Sequence, residues 1–142
     1  METIGKSPVN IVQELLAIHT TRRDAYSRIK NEVDDEQLKN KLNTGIKQSE
    51  QFIDELMNEL SQFGDAVSGE VDMDNTFINT WENSLSAVET MQEEEVKNTV
   101  RNMEESLQKY YKDFINLTFE FSVSTKEILQ RQASELDPGK FN

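Results

Sequence analysis

Apolar residues recur every three or four positions along most of the chain, a spacing typical of one buried face of an α-helix. The stripe nearest the N-terminus consists of Ile11, Leu15, Ile18, Ala25, Tyr26, Ile29 and Val33. Similar stripes follow it. Together they predict four long helices over residues 9–33, 35–63, 92–115 and 119–137. The pattern therefore predicts an all-α fold.

Residues that begin or end helices support these boundaries. Pro8 suits the first turn of a helix, and Ser7 can cap it. Asp34, with Gln37 three residues later, predicts a capping box at the start of the second helix. Gly64 is placed to end that helix. Because the first connection is so short, the first two helices are predicted to pack as an antiparallel hairpin.

The two later connections are less regular. After a loop over residues 64–74, an apolar stripe predicts a short helix at about residues 75–90, which would cover the bundle or cross between its hairpins. Residues 116–118 are predicted to separate the third and fourth helices, with Thr118 as the cap. One continuous helix is the alternative, because helical spacing is kept by Phe114, Leu117, Phe121 and Ile128.

The composition agrees with long helices. The 142 residues are enough for one domain with a single core. With only five glycines and two prolines, the chain has few of the turn residues that a β-rich protein needs. We therefore expect a single four-helix-bundle domain over residues 1–142, with flexible ends at about residues 1–7 and 138–142.

The charge narrows the choice of partners. The net charge of −12 disfavours nucleic acid and anionic membranes, because both are negatively charged. It favours solubility, and it is also compatible with attraction of cations or of a basic protein partner. The absence of cysteine excludes disulfides, thiolate zinc sites and cysteine nucleophiles. With no signal-peptide pattern in residues 1–10 and no membrane-spanning run, a cytoplasmic location is expected.

Several segments keep an order and spacing that can be compared with a known family. They are residues 12–18, 24–26, 35–39 and 48–56, Trp81, and Glu104 seven residues before Tyr111. In these segments the chain resembles small bacterial ferritin-like proteins of unknown function, a family that includes stress-associated cytoplasmic proteins. The resemblance covers most of residues 11–114. It implies a ferritin-like four-helix bundle, a homodimer and no established biochemical activity.

A di-iron site is not expected. Ferritin-like sites take a Glu from each of two helices and a Glu-x-x-His motif from each of the other two. The single histidine, His19, has no Glu three residues before it, and Glu50, Glu104 and Glu127 are not followed by a histidine three residues later. We therefore predict a degenerate metal site, no cofactor and no catalytic residues, with a carboxylate-only metal site as the alternative.

Arg22 is the polar residue that stands out, because it falls within the apolar stripe of the first helix. Pairing the first two helices places it opposite Gly45 and Ser49 on their inward faces. An unpaired buried charge is costly, so we expect an ion pair with Glu104. The alternative is that the Arg22 side chain extends along the bundle to water.

Two further residues complete the candidate polar layer of Arg22, Ser49, Glu104, Tyr111 and His19. Tyr111 could join the ion pair. His19 is expected at the edge of its helix's apolar stripe, where a lone histidine is usually a hydrogen-bonded boundary residue. The leading hypothesis is a non-enzymatic structural or interaction protein. The alternatives are a ferritin-like metal-dependent oxidase or iron-handling protein, and an acidic adaptor for a basic partner.

Overall fold

The computed structural model of the chain describes residues 8–62, 79, 82, 83, 92–117 and 122–141. All secondary structure in these residues is helical, which confirms the all-α class for this part of the chain. The elements are α1 (Pro8–Glu32), α2 (Glu36–Ser61), α3 (Glu93–Leu117), α4 (Val123–Glu135) and a 3-10 helix (Pro138–Phe141).

Helices α1 and α2 form the predicted antiparallel hairpin. Lys30 near the end of α1 donates to Asn43 near the start of α2 at 2.9 Å. Arg22, two turns earlier in α1, donates to Ser49 at 2.8 Å, further along α2. The residue numbers of the two partners therefore change in opposite directions along the interface.

The cap of α2 is Asp35 rather than Asp34. Asp35 has an extended backbone, and its carboxylate accepts from the amides of Gln37 at 2.9 Å and Leu38 at 3.5 Å. The capping-box spacing from Asp34 was misleading because either of two adjacent aspartates can occupy this turn. The amides of both aspartates instead donate to Oε1 of Glu93, at 2.7 and 2.9 Å, which joins the turn to the start of α3.

Helix α3 packs antiparallel to α1. Glu104 accepts from Arg22 at 2.8 Å, whereas Tyr111, later in α3, contacts His19, which is earlier in α1. Because α1 is antiparallel to both α2 and α3, these two consecutive helices run in the same direction.

Helix α4 packs antiparallel to α2. Thr125 near its start donates to Glu59 near the end of α2 at 2.6 Å. At the opposite end, Gln48 of α2 donates to the carbonyl of Glu135 at 3.0 Å. The four described helices thus alternate in direction around the bundle in the order α1, α2, α4, α3.

The third and fourth helices are separate, so the alternative of one continuous helix is wrong. Helix α3 ends at Leu117 and α4 begins at Val123, four residues later than expected. The cap is Ser122, whose hydroxyl accepts from the amide of Thr125 at 3.1 Å. The expected cap Thr118 lies outside the described residues. Apolar spacing that continued through this region concealed the break.

Other predicted features also lie outside the described residues. These include the N-terminal end at residues 1–7 and the cap Gly64. The predicted short helix at 75–90 lies outside as well, apart from residues 79, 82 and 83, which are helical. Helix α2 ends at Ser61, two residues before the predicted end, with Gln62 as its C-cap.

The core consists of the apolar stripes of the four described helices and a contribution from the C-terminal end. Residues 138–142 were expected to be a flexible end, but Phe141 is buried with 2% exposure. Its ring meets the Tyr26 ring at 6.2 Å between centroids, in an edge-to-face arrangement. No described helix combines the length and apolar content needed to cross a membrane.

A buried polar layer as the candidate functional site

The structure brings the five residues of the candidate polar layer together at the centre of the bundle. His19 and Arg22 come from α1, Ser49 from α2, and Glu104 and Tyr111 from α3. All five are buried, none with more than 2% exposure.

Arg22 donates all five of its N–H groups to protein acceptors. Glu104 receives two of them, with Nε 2.8 Å from Oε2 and Nη2 2.9 Å from Oε1. Helix α2 receives the other three. Nη1 reaches Ser49 Oγ at 2.8 Å and the Gly45 carbonyl at 3.3 Å, and Nη2 reaches Gln48 Oε1 at 2.9 Å. The guanidinium is therefore fully satisfied, and the alternative that Arg22 extends to water is wrong.

Gly45 makes room for this arrangement. A Cβ atom at this position would lie 2.8 and 2.9 Å from ring carbons of Tyr26, and 3.5 Å from Arg22 Nη2. The two distances to Tyr26 are shorter than van der Waals contact between carbon atoms. A glycine in mid-helix costs stability relative to alanine, so its presence here is explained by the close approach of the two α1 side chains.

Glu104 is the anion of the layer. Its Oε2 accepts from the Tyr26 hydroxyl at 2.5 Å as well as from Arg22. Burial and the adjacent Glu104 charge raise the pKa of Tyr26 well above its ordinary value. Burial alone would lower the pKa of Arg22, but the neighbouring Glu104 and Tyr26 together more than offset this, and the net shift is upward. The layer therefore keeps Arg22 charged and Tyr26 protonated.

His19 is fully buried and does not lie at the boundary, which corrects the expectation from sequence. Its Nε2 is 2.7 Å from the Tyr111 hydroxyl, its Nδ1 is 3.3 Å from Ser49 Oγ, and its ring stands edge-on to Phe52 at 5.1 Å. The apolar stripe alone understated the buried face of α1, because this helix packs against both α2 and α3.

The hydrogen-bond directions around His19 follow from its neighbours. The Tyr111 hydroxyl donates to Gln132 Oε1 at 2.6 Å, so its oxygen accepts from Nε2–H of His19. Nδ1 is then unprotonated and accepts from the Ser49 hydroxyl. Burial, together with the positive charge of Arg22, lowers the pKa of His19 well below its ordinary value. His19 is therefore the neutral Nε2–H tautomer.

Gln132 on α4 is a member of the layer that the sequence argument missed. It is fully buried, accepts from Tyr111, and donates through Nε2 to Glu55 Oε1 at 2.9 Å. Gln132 lies three residues after Leu129 and four before Leu136, so it interrupts an apolar stripe as Arg22 does. A polar residue at such a position indicates a buried partner, so Gln132 could have been predicted from the sequence in the same way.

A second buried polar contact was also not predicted from the sequence. Glu59 on α2 and Thr125 on α4 are both buried, and the threonine hydroxyl donates to Glu59 Oε1 at 2.6 Å. Glu59 follows Leu56 by three residues, again on an apolar stripe. This contact fixes α4 against the end of α2, away from the main layer.

The donor set of the layer does not match a metal site. In the part of the chain that the structure describes, no three carboxylate or histidine side chains are clustered as metal ligands. Glu50 and Glu127, which stand where Glu-x-x-His motifs were sought, are both exposed. The centre holds a guanidinium cation, with both oxygens of Glu104 bound to it. The arrangement can fix helix positions, but it presents no group directed at a ligand.

Comparison with known proteins identifies the family to which the chain belongs. A family model described as a domain of unknown function (DUF2383) matches residues 7–117. The chain belongs to this family. No curated protein matches the chain, and no solved structure matches it.

The DUF2383 match covers α1, α2 and α3 and ends where α3 ends. It therefore includes Arg22, Ser49, Glu104, Tyr111 and His19. It does not include α4, which supplies Gln132 to the layer. In this DUF2383 protein, the central ion pair lies inside the matched region, whereas Gln132, the hydrogen-bond partner of Tyr111, lies beyond it.

Proposed function

We propose that this DUF2383 protein is a non-enzymatic, ferritin-like helical bundle with a structural or interaction role. In this proposal a charged hydrogen-bonded layer occupies the place of a metal centre. The observation that carries it is the complete satisfaction of the Arg22 guanidinium by Glu104, Ser49, Gly45 and Gln48.

The directions of the helices support the ferritin-like part of the proposal. Ferritin-like bundles have one long crossover connection. Here α2 and α3 run in the same direction, and residues 62–92 separate them along the chain. A bundle with only short connections would reverse direction at every step.

The chemistry of the layer supports a non-enzymatic role. General acid–base catalysis needs a group within hydrogen-bond reach of a substrate, and a di-iron site needs carboxylates free to bind cations. Both oxygens of Glu104 are already bound to Arg22, and the two nitrogens of His19 are bound to Ser49 and Tyr111. Buried polar groups of this kind can specify helix register instead.

Metal analysis tests this proposal against the metal-dependent alternative. The protein is purified without chelator and its iron, manganese and zinc contents are measured, before and after incubation with Fe(II) under anaerobic conditions. We expect metal contents far below one ion per chain. Glu104→Ala and the exposed-site control Glu50→Ala should give the same result. Stoichiometric iron that is lost in Glu104→Ala but kept in Glu50→Ala would overturn the proposal.

The proposal includes a cytoplasmic homodimer. Its support is the resemblance to stress-associated bacterial ferritin-like proteins and the lack of cysteine. Sedimentation velocity at micromolar concentration should give the mass of two chains. A single species with the mass of one chain would remove the dimer from the proposal.

A second candidate function is an acidic adaptor for a basic protein. Residues 63–92 contain six acidic residues and no lysine or arginine, in a chain of net charge −12. This function predicts binding to a basic protein that weakens steeply with salt. Replacing the acids of this segment by their amides should abolish the binding, whereas replacing the exposed acids Glu36 and Glu127 should not.

A further inference from the structure

The buried hydrogen bonds form one directional chain across all four described helices. Arg22 Nη1 donates to Ser49 Oγ, and the serine hydroxyl donates to Nδ1 of His19. On the other side of the ring, Nε2–H donates to Tyr111, whose hydroxyl donates to Gln132. In this chain His19 is the only group that ordinarily titrates near neutral pH.

A proton on Nδ1 would reverse one link of this chain. Nδ1 would change from acceptor to donor, and the Ser49 oxygen would then receive N–H groups from two cations, His19 and Arg22. The serine hydroxyl proton would need another acceptor. The carbonyl four residues earlier in its helix belongs to Gly45, and Arg22 already donates to it at 3.3 Å. Protonation thus weakens the hold of Arg22 on α2.

No nearby negative charge among the described residues is available to stabilise an imidazolium at His19. Arg22, three residues later on the same helix, is a neighbouring cation whose own charge is neutralised by Glu104. Helix α2 presents Ser49 and Phe52, and α3 presents Tyr111. Among the described residues, no carboxylate is hydrogen-bonded to either nitrogen of His19.

We propose that His19 is an acid-sensitive switch, whose protonation loosens the contact between α1 and α2 at the centre of the bundle and so couples the exposure of the bundle interior to mildly acidic pH. This regulatory device goes beyond the proposed structural role and does not depend on the absence of metal.

The sign of the pH dependence follows from the protons bound in each state. Burial and Arg22 hold the pKa of folded His19 below the unfolded value of about 6.5. Between these two pKa values, the open or unfolded chain binds more protons than the closed bundle. The stabilisation linked to neutral His19 is therefore fully present above about pH 6.5. It falls as the pH decreases from there toward the folded pKa.

The direct experiment is NMR of the wild-type protein, because His19 is the only histidine in the chain. At pH 7.5 the ring nitrogens should show the neutral Nε2–H tautomer. On titration to pH 5, the imidazolium signal should appear together with the loss of amide hydrogen-exchange protection in α1 and α2. An imidazolium signal in a bundle that keeps its protection overturns the proposal. So does a neutral His19 in a closed bundle at pH 5.

A variant separates His19 from the carboxylates that titrate at lower pH. His19→Gln can still donate to Tyr111 and accept from Ser49, but it cannot take up a proton. We expect its hydrogen-exchange protection to be unchanged between pH 7.5 and 5, while the wild type loses protection at least tenfold. If the variant and the wild type open at the same pH, the proposal is wrong. If His19→Gln does not fold, the wild-type titration alone decides.

Discussion

The cost of burying a charge explains why Arg22 has so many partners. A buried ion is tolerated when it is paired and hydrogen-bonded, and Arg22 and Glu104 are both almost fully buried. Removing one partner of such a pair leaves the other unpaired, which typically costs about 3–5 kcal/mol. We expect Arg22→Leu and Glu104→Leu each to lower the unfolding free energy by about this amount in urea denaturation.

The double variant sharpens this prediction. Arg22→Leu combined with Glu104→Leu leaves neither charge buried, so it should recover much of the loss of either single variant. A matched control is the exposed pair Lys109 and Asp113, 3.0 Å apart, whose removal should cost less than about 1 kcal/mol. Losses that simply add in the Arg22 and Glu104 double variant would contradict the coupling that we infer.

For Gly45→Ala we predict a change in stability opposite to the one expected from helix propensity. Alanine in an unrestricted helix position is better than glycine by about 1 kcal/mol. At position 45 the new methyl would lie 2.8 Å from the Tyr26 ring, whose hydroxyl is held by Glu104. We expect Gly45→Ala to lower the melting temperature. Asn40→Ala, at an exposed site on the same helix, should leave it unchanged or raise it slightly. A stabilised Gly45→Ala variant would show that the ring moves freely.

At the level of helices, the start of α2 can be tested through its two adjacent aspartates. Asp35 caps the helix and Asp34 does not, so Asp35→Ala should cost about 1 kcal/mol and Asp34→Ala much less. Asp35→Asn keeps a capping oxygen and should recover most of the loss. The ion pair from Lys97 to Asp35, at 3.9 Å, is too long and too exposed to account for such a difference. Equal losses in both alanine variants would argue for a shared cap.

The boundaries of the helices could be predicted from the sequence to different extents. Periodicity gave α1, α2 and α3 to within a few residues, because each buries one regular stripe. It failed between α3 and α4, since apolar spacing continues across the break and the deciding signal is the single cap Ser122. The short helix expected at residues 75–90 stays a prediction.

Only some members of the polar layer could be predicted from the sequence, for a related reason. An arginine on an apolar stripe is conspicuous, so Arg22 and its pairing with Glu104 could be inferred. Gln132 and the full burial of His19 depend on how several helices pack around one point, which no single stripe reveals. Tyr26 looked like an ordinary core residue, because its ring is apolar and only its hydroxyl reaches Glu104.

For the whole molecule, the C-terminal segment closes the bundle. Phe141 follows α4 and packs its ring against Tyr26, whose hydroxyl binds the central Glu104. Truncating a buried phenylalanine to alanine typically costs about 3–5 kcal/mol. We expect Phe141→Ala to lower the unfolding free energy by this amount and to increase hydrogen exchange in α1 near Tyr26. Val123→Ala, an apolar truncation at a residue with 77% exposure, is the control and should be nearly neutral. If the two variants are equally stable, the segment does not close the bundle in solution.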